Sequence, residues 1–559
     1  MSSLSLLFIL VLPIIGTLVI WPASKKNDKM GEIFVALICG ICVLFAAFTP
    51  AGDFLSINTG FHSIRFTLGD INRIFLLFST SIWCLVALFL TGYVHHMENR
   101  ARFWGFFMLT LWSVIFVFLA GDLLTFYFFF ELMALFSYFL IIHQESTEAL
   151  SSGNLYIFTT FVGGLAVLGA ILIIYNNVGT FEFEKLNLVI EHGGLKGYLA
   201  LVLLFVGFGI KAGCLPFHFW LPRAHPVAPA PASALLSGVL VKSGVFGILQ
   251  ILRYTNSHYL GLVLIILGIL STLYGGFMAL CDNYPKRLLA YGTISQIGYI
   301  FVSISATILA GAHSLVAPYL HIYAHGLSKT ALFLAVGYIY LKTYEMKQLK
   351  NLTLVPLAAI ALAGLNLAGF PGFIGYTAKI LTKDLLLCLS TQGMFFHWVE
   401  VIFRLSGILT AAYLTKIFFC FYESYLKHRV KNPLSNQKEF NIMIFVLFLL
   451  VFMTIILGFL PIAASDVEIN LYSPAKIIAS IFDIITGIIV YLKFKGHIKR
   501  PVLIPQPSYR NTVFKLTGYF GNLVQRYIHL PISIDLSIAL FGISIPLLYL
   551  LLILYLKPY

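Results

Sequence analysis

Sixty per cent of the 559 residues are hydrophobic and only 10% are charged, whereas an ordinary soluble domain is about one quarter charged, so a soluble globular class is excluded. A net charge of +14 would suggest nucleic acid in a soluble chain. Here the basic residues cluster between apolar stretches, where they orient a membrane protein, and no nucleic-acid partner is expected.

The first apolar stretch, Leu4 to Trp21, lacks a basic leader and a small-residue cleavage site, and is expected to be a retained helix rather than a signal peptide. A segment of ~18–25 apolar residues, rising ~1.5 Å per residue, can cross a ~30 Å hydrocarbon core. Such segments recur at 3–22, 31–49, 73–95, 103–120, 122–143, 154–176, 198–221, 229–253, 258–280, 288–309, 314–341, 353–387, 402–425, 440–460, 474–493 and 532–556. The chain therefore reads as an all-α polytopic membrane protein with about 14–16 transmembrane helices.

Fifteen basic residues, among them Lys25, Arg100, Arg223, Lys286, Lys347 and Lys431, fall on one set of alternate loops, against five (Arg65, Arg73, Lys185, Lys196, Arg253) on the other. That asymmetry puts the amino terminus on the outer face, by the positive-inside rule. The expected location is an integral one in the inner membrane of a bacterial or archaeal cell.

Two segments interrupt the helical pattern at membrane depth: the run containing Pro216, Pro222, Pro226, Pro229 and Pro231, and Gly369-Phe370-Pro371-Gly372 with Gly375 behind it. Paired interruptions in two halves of a chain point to internal repeats whose unwound helices flank an ion path. Residues 494–530 mix basic and apolar residues around Pro501, Pro505 and Pro507, as either a helix lying on the membrane surface or a solvated loop would. The expected organisation is N-terminal helices over 1–100, a core over 101–425 and C-terminal helices over 426–559.

An ionisable side chain within a span costs at least ~2.5 kcal/mol, so spans that keep one mark function. Glu131 lies nine residues beyond Asp122, ~13 Å into its helix. Lys211 immediately precedes the first break, and Lys242 stands in the middle of an apolar span. Burial lowers a lysine's proton affinity and a nearby carboxylate restores it, so a Glu–Lys pair of changing separation loads and unloads a proton. A structural ion pair is the plainer alternative for each.

His321, His325 and Lys329 follow one another at intervals of four, a spacing that keeps all three on nearly one helix face. Two histidines so placed can share a metal, but no third or fourth ligand accompanies them and none is expected. Beyond the second break come Tyr376, Lys379, Lys383 and Asp384. Lys379 is the candidate for the far end of the path, whereas Lys383 reads equally well as neutralised by Asp384. Lys416 and Glu423 are weaker candidates, Lys416 being within snorkelling reach of an interface.

The seven cysteines are scattered, with no ladder of paired cysteines for an iron–sulfur cluster. Nor is there a phosphate-binding glycine loop, a nucleophile elbow or a soluble domain for a flavin or nicotinamide. No cofactor is expected.

The stretches Asp122 to Met133, Lys211 through Pro216 to Pro229, Ser233 to Lys242, Lys286 through Tyr291 to Gly298, and His325-Gly-Leu-Ser-Lys329 together resemble the antiporter-like membrane subunits shared by respiratory complex I, membrane-bound [NiFe] hydrogenases with formate hydrogenlyase, and multi-subunit sodium/proton antiporters. The run from Arg223 to Pro229 and the Ser-Gly segment ending in Lys242 are most similar to the hydrogenase-associated branch.

This resemblance implies two inverted five-helix repeats, each with a broken helix, and a transverse proton path. It makes Glu131 the coupling carboxylate, Lys211 its partner, Lys242 the central lysine, and His325 and Lys329 central relay groups. The family carries Lys or Glu directly after Gly-Phe-x-Gly on the second broken helix; here Tyr376 stands there and Lys379 follows one turn later.

The expected function is that of a proton-translocating subunit of a respiratory complex, with other membrane subunits and a redox module as partners. The alternative is a subunit of a sodium/proton antiporter without electron transfer, and a coupling subunit for bicarbonate uptake is a third class.

Overall fold

A computed structural model describes residues 2–26, 28–58, 63–255, 257–312, 314–346, 354–427, 437–459 and 471–495. The expected span at 532–556 and the segment 496–530 lie outside these residues.

The chain opens with α1 (Ser2–Lys26) and α2 (Asp28–Phe48), then an antiparallel hairpin of β1 (Asp53–Asn58) and β2 (Ser63–Leu68). Next come α3 (Asp70–Tyr93), α4 (Arg100–Leu119), α5 (Leu123–Ile141), α6 (Thr147–Val178) and α7 (Leu186–Ala212). The first broken crossing continues as α8 (Leu221–Val227), after which α9 (Ala230–Leu235) runs through a π-helical turn, Leu236–Leu240, into α10 (Val241–Thr255). Then follow α11 (His258–Cys281), α12 (Pro285–Leu309), α13 (Val316–Met346), α14 (Leu354–Ala368), α15 (Ile374–Ser390), α16 (Met394–Lys427), α17 (Gln437–Phe459) and α18 (Pro474–Phe494).

Twelve of these stretches are long and apolar enough to cross a membrane. With α1, α13 and the broken pair α14–α15, fifteen crossings are counted among the described residues. The span expected at 353–387 is thus two half-helices separated at the expected glycines and proline.

Both breaks start in the same way. α7 ends at Gly213 (φ 73°) and α14 at Gly369 (φ 92°), left-handed conformations that glycine adopts without a Cβ penalty and that stop a helix. Four crossings, α9–α10, α11, α12 and α13, lie between the two broken helices. The second break is thus five crossings on from the first, and an odd step reverses direction, so α7 and α14 enter the membrane from opposite sides, as inverted repeats require.

The hairpin is the element that apolar patterning did not signal. Phe66 bridges Ala120, and the Gly121 N–H donates to the Arg65 carbonyl at 2.8 Å, fastening the hairpin to the α4–α5 corner. The Leu123 N–H donates to the Phe181 carbonyl at 2.8 Å, and Arg65 and Lys185 both pair with Glu182. Those two cations, Lys185 foremost, hold the Glu182 carboxyl below the usual carboxylate range. Asp122 then caps α5 by accepting from the Thr125 N–H at 2.8 Å and the Thr125 hydroxyl at 2.6 Å. These ties set the height of α5, and so the depth of Glu131.

Candidate functional site

All seven charged or titratable candidates, Glu131, Lys211, Lys242, His321, His325, Lys329 and Lys379, lie inside the helical bundle, the first six at 4% exposure or less. They fall into two polar clusters and a terminal group.

The first cluster joins α5, α6 and α7. Lys211 Nζ donates to the Tyr156 hydroxyl at 2.8 Å, and that hydroxyl pairs with Ser137 Oγ at 2.6 Å. The ammonium also faces the rings of Tyr156 (5.1 Å) and Phe130 (5.6 Å), an arrangement that partly replaces its lost water. Tyr156 packs on Trp220 with ring centroids 5.0 Å apart, and Trp220 Nε1 donates at 2.9 Å to the Ile210 carbonyl at the break, which also accepts from the Gly213 N–H at 3.1 Å. The broken helix thus positions the lysine beside it.

The Glu131 carboxyl lies within electrostatic reach of Lys211. It lies directly over Gly164 of α6, where any Cβ would collide with it. Glu131 Oε1 has no hydrogen-bond partner among the described residues, whereas buried polar atoms in folded proteins are nearly always paired.

The second cluster joins α9–α10, α12 and α13. The π-turn directs the Ser237 carbonyl at Lys242, whose Nζ donates to it at 2.6 Å, a common use of such bulges at functional sites. The Ser237 hydroxyl pairs with Thr293 at 2.7 Å, and either oxygen can donate. Thr293 Oγ1 donates to the Leu289 carbonyl at 3.0 Å, which also accepts from Lys329 Nζ at 2.9 Å. Lys242 and Lys329 are therefore connected through two hydroxyls and two carbonyls.

His325, on the same α13 face, has both ring nitrogens unpartnered among the described residues and no exposure. His321 pairs with Gln296 Oε1 at 3.1 Å, and Gln296 Nε2 donates to the Tyr413 hydroxyl at 3.4 Å. The Tyr413 ring also lies 5.7 Å from Lys329 Nζ.

Lys379 ends the row on α15. Its Nζ donates to the Ala368 carbonyl at 3.2 Å and lies 4.7 Å from the Tyr299 ring, which stacks on His321 at 5.5 Å. Tyr376 does not occupy a relay position, since its hydroxyl donates to the Leu471 carbonyl at 2.8 Å. Asp384 forms a direct ion pair with Lys476 at 2.8 Å and also interacts electrostatically with Lys383. Lys416 is buried, donating at 2.7 Å to the Leu280 carbonyl in the last turn of α11.

Sequence reasoning gave no role to Tyr156, Gly164, Ser237, Thr293, Gln296, Tyr299 or Tyr413. The run from Tyr291 to Gly298 did contain a usable signal: Thr293 and Gln296 lie three apart in a buried helix, as two polar groups sharing one face do.

A profile of the family described as NADH:quinone oxidoreductase/Mrp antiporter, transmembrane, matches residues 120–410. Hydrogenase-4 component B of Escherichia coli K12 is 31% identical over 62% of this chain, a match that spans about half (53%) of that relative's own length. NADH-quinone oxidoreductase subunit M of the same organism is 29% identical over 64% of this chain and 73% of its own.

Among solved structures, the Mrp complex from a Dietzia species aligns with TM-score 0.77 at 20% identity, covering 100% of this chain and 63% of the other. The archaeal membrane-bound sulfane sulfur reductase aligns with TM-score 0.72 at 21% identity, covering 98% and 100%. At these identities the likeness is one of fold. With the profile spanning more than half of the sequence, the chain belongs to the NADH:quinone oxidoreductase/Mrp antiporter transmembrane family.

Proposed function

We propose that the chain is a proton-translocating subunit of a respiratory complex of the complex I or membrane-bound hydrogenase type. Protons pass along the row Glu131, Lys211, Lys242, His325 and Lys329 with His321 beside them, and Lys379. The observation that supports this most directly is the hydrogen-bonded connection Lys242–Ser237–Thr293–Leu289–Lys329 between two lysines of zero exposure. Two cations joined by polar groups in an apolar bundle repel one another. Loss of a proton from either lysine relieves that repulsion, so the pair favours holding one proton rather than two; the carbonyls at each end of the connection fix the two amines in place and carry no proton themselves.

In this reading Glu131 sets the charge on Lys211. When the carboxylate is near, the ammonium keeps its proton; when it moves away, the desolvated lysine releases the proton inward. A redox module and further membrane subunits would supply the energy, as the names of the relatives suggest for their own complexes. The alternative is exchange of sodium for protons along the same row, in an antiporter without electron transfer.

The test uses the complex isolated through a tag on this chain and reconstituted in proteoliposomes with an entrapped pH dye. Under an imposed potassium diffusion potential, Glu131→Gln and Lys211→Met are expected to slow proton entry by roughly 100-fold or more while the complex stays assembled. Wild-type proton entry in either variant refutes the mechanism. A wild-type rate that requires sodium, and vanishes in choline, assigns the row to the antiporter alternative.

A further inference from the structure

The row needs a way out beyond Lys379, and the family's usual position for an exit group holds Tyr376, whose hydroxyl is committed to a backbone carbonyl. The next acidic group in space comes from a helix outside the segment that carries the family's motifs. α18 lies across the second break: Ser480 Oγ donates to the Gly369 carbonyl at 2.5 Å, and a Cβ built on Gly369 would sit 3.1 Å from Lys379 Cδ and 3.9 Å from Ser480 Oγ. Ser480, Lys379 and the break are thus mutual neighbours.

Asp483 follows Ser480 by three residues and precedes Gly487 by four, and Gly487 packs against the α16 backbone at Ile408 and Ala412. Spacings of three and four place the three on one helix face, so Asp483 faces the α15–α16 side. From there its carboxylate interacts electrostatically with Lys379 and Lys383 of α15 and Arg404 of α16, and with Tyr299 of α12. Among the described residues no direct hydrogen bond or ion pair occupies it. The other nearby carboxyls are placed differently: Asp384 is tied to Lys476 at 2.8 Å, and Glu400 is buried beside Lys383.

We propose that Asp483 is the terminal proton acceptor of this chain, taking the proton from Lys379 and releasing it toward the end of the bundle where α15 ends and α16 begins. A water between the two groups carries the proton across: the Lys379 N–H bond breaks as the water gains that proton, and the water passes one of its own to form the Asp483 O–H bond, leaving a neutral amine and a neutral carboxyl. The carboxyl then gives its proton to water on the α15–α16 side. Arg404, exposed there, and Lys383 favour that release by stabilising the carboxylate. Lys379 regains a proton from the row behind it. Asp483 is nine residues from the start of α18, ~13 Å of helix, so the outlet lies on the side where α15 ends and α16 begins. The Asp483 side chain is partly buried, not sealed within the bundle.

The proposal rests on the proton row described above, and the experiment separates the two. In the same proteoliposomes, Asp483→Asn is expected to assemble and to slow proton entry by roughly 100-fold or more. Asp483→Glu is expected to keep the flux and to shift the midpoint of its dependence on pH at the α15–α16 face. Wild-type flux in Asp483→Asn, with Glu131→Gln still blocked, overturns the Asp483 assignment and leaves the row intact. Wild-type flux in both variants overturns the row itself. If Asp483→Asn does not assemble, Asp483→Glu decides: an unmoved midpoint overturns the proposal, since a counter-ion that never carries the proton would not set it.

Discussion

The Glu131 carboxyl rests on the bare backbone of Gly164, and that absent side chain is as specific a requirement as the carboxyl. Gly164→Ala is expected to push the carboxyl away from its place, at a cost of about 1–3 kcal/mol for overpacking, and to lower proton flux while Lys211 is untouched. Gly169→Ala on the same helix, where a Cβ would make an ordinary 3.7 Å contact with Leu203, is expected to be neutral in both flux and thermal stability. Glu131 and Lys211 were legible in the sequence because charge stands out in an apolar run. Gly164 and Tyr156 were not, because glycine and tyrosine are ordinary in membrane helices and only the packing shows what each of them touches.

At the scale of elements, each break is held by a side chain from within the bundle. Asn366 ties the two halves of the second: its Oδ1 accepts from the Gly375 N–H at 2.8 Å, while its Nδ2 donates to Ser328 Oγ at 2.6 Å. Asn366→Leu leaves these groups unsatisfied and is expected to cost about 1–3 kcal/mol, measured as a fall in the thermal midpoint of the purified complex. At the first break Lys286 Nζ donates to the Ala228 carbonyl at 2.8 Å, where α8 ends.

The turn after α5 carries a pH-dependent contribution. Burial, and then the nearby Arg102, push the His143 imidazole down to about 4, so the folded state holds it neutral while the unfolded chain titrates near 6.5. Between those values the unfolded state binds more protons, so stability falls as pH drops from about 6.5 toward 4 and is unaffected above. Hydrogen exchange in residues 143–146 is expected to accelerate over that window, and His143→Gln to abolish the dependence.

Spans and breaks could be read from the sequence because length, glycine and proline announce them. The hairpin β1–β2 could not. Its strands are six residues each, too short for alternation to stand out, and they are held by the α4–α5 corner, which is a tertiary contact. The π-turn at Leu236–Leu240 was equally silent, since it changes hydrogen bonding without changing composition.

For the whole molecule, the basic-loop asymmetry and the alternation of crossings fix which turns share a side. A cysteine at Thr391, in the α15–α16 turn, is expected to react with an impermeant maleimide only from outside the cell, and one at Ser146 only from the cytoplasm, in a chain whose own cysteines have been replaced. Labelling of both from one face would refute the inverted sense of the breaks. That inversion was visible in the sequence only as two interruptions, and their opposite directions emerged once every crossing between them was counted. Two half-helices entering from opposite sides make the bundle read nearly the same from either end. Under the proposal above, such a symmetric row has no preferred direction of its own. Any net bias would then be imposed at its two termini, where Glu131 and the groups beyond Lys379 differ.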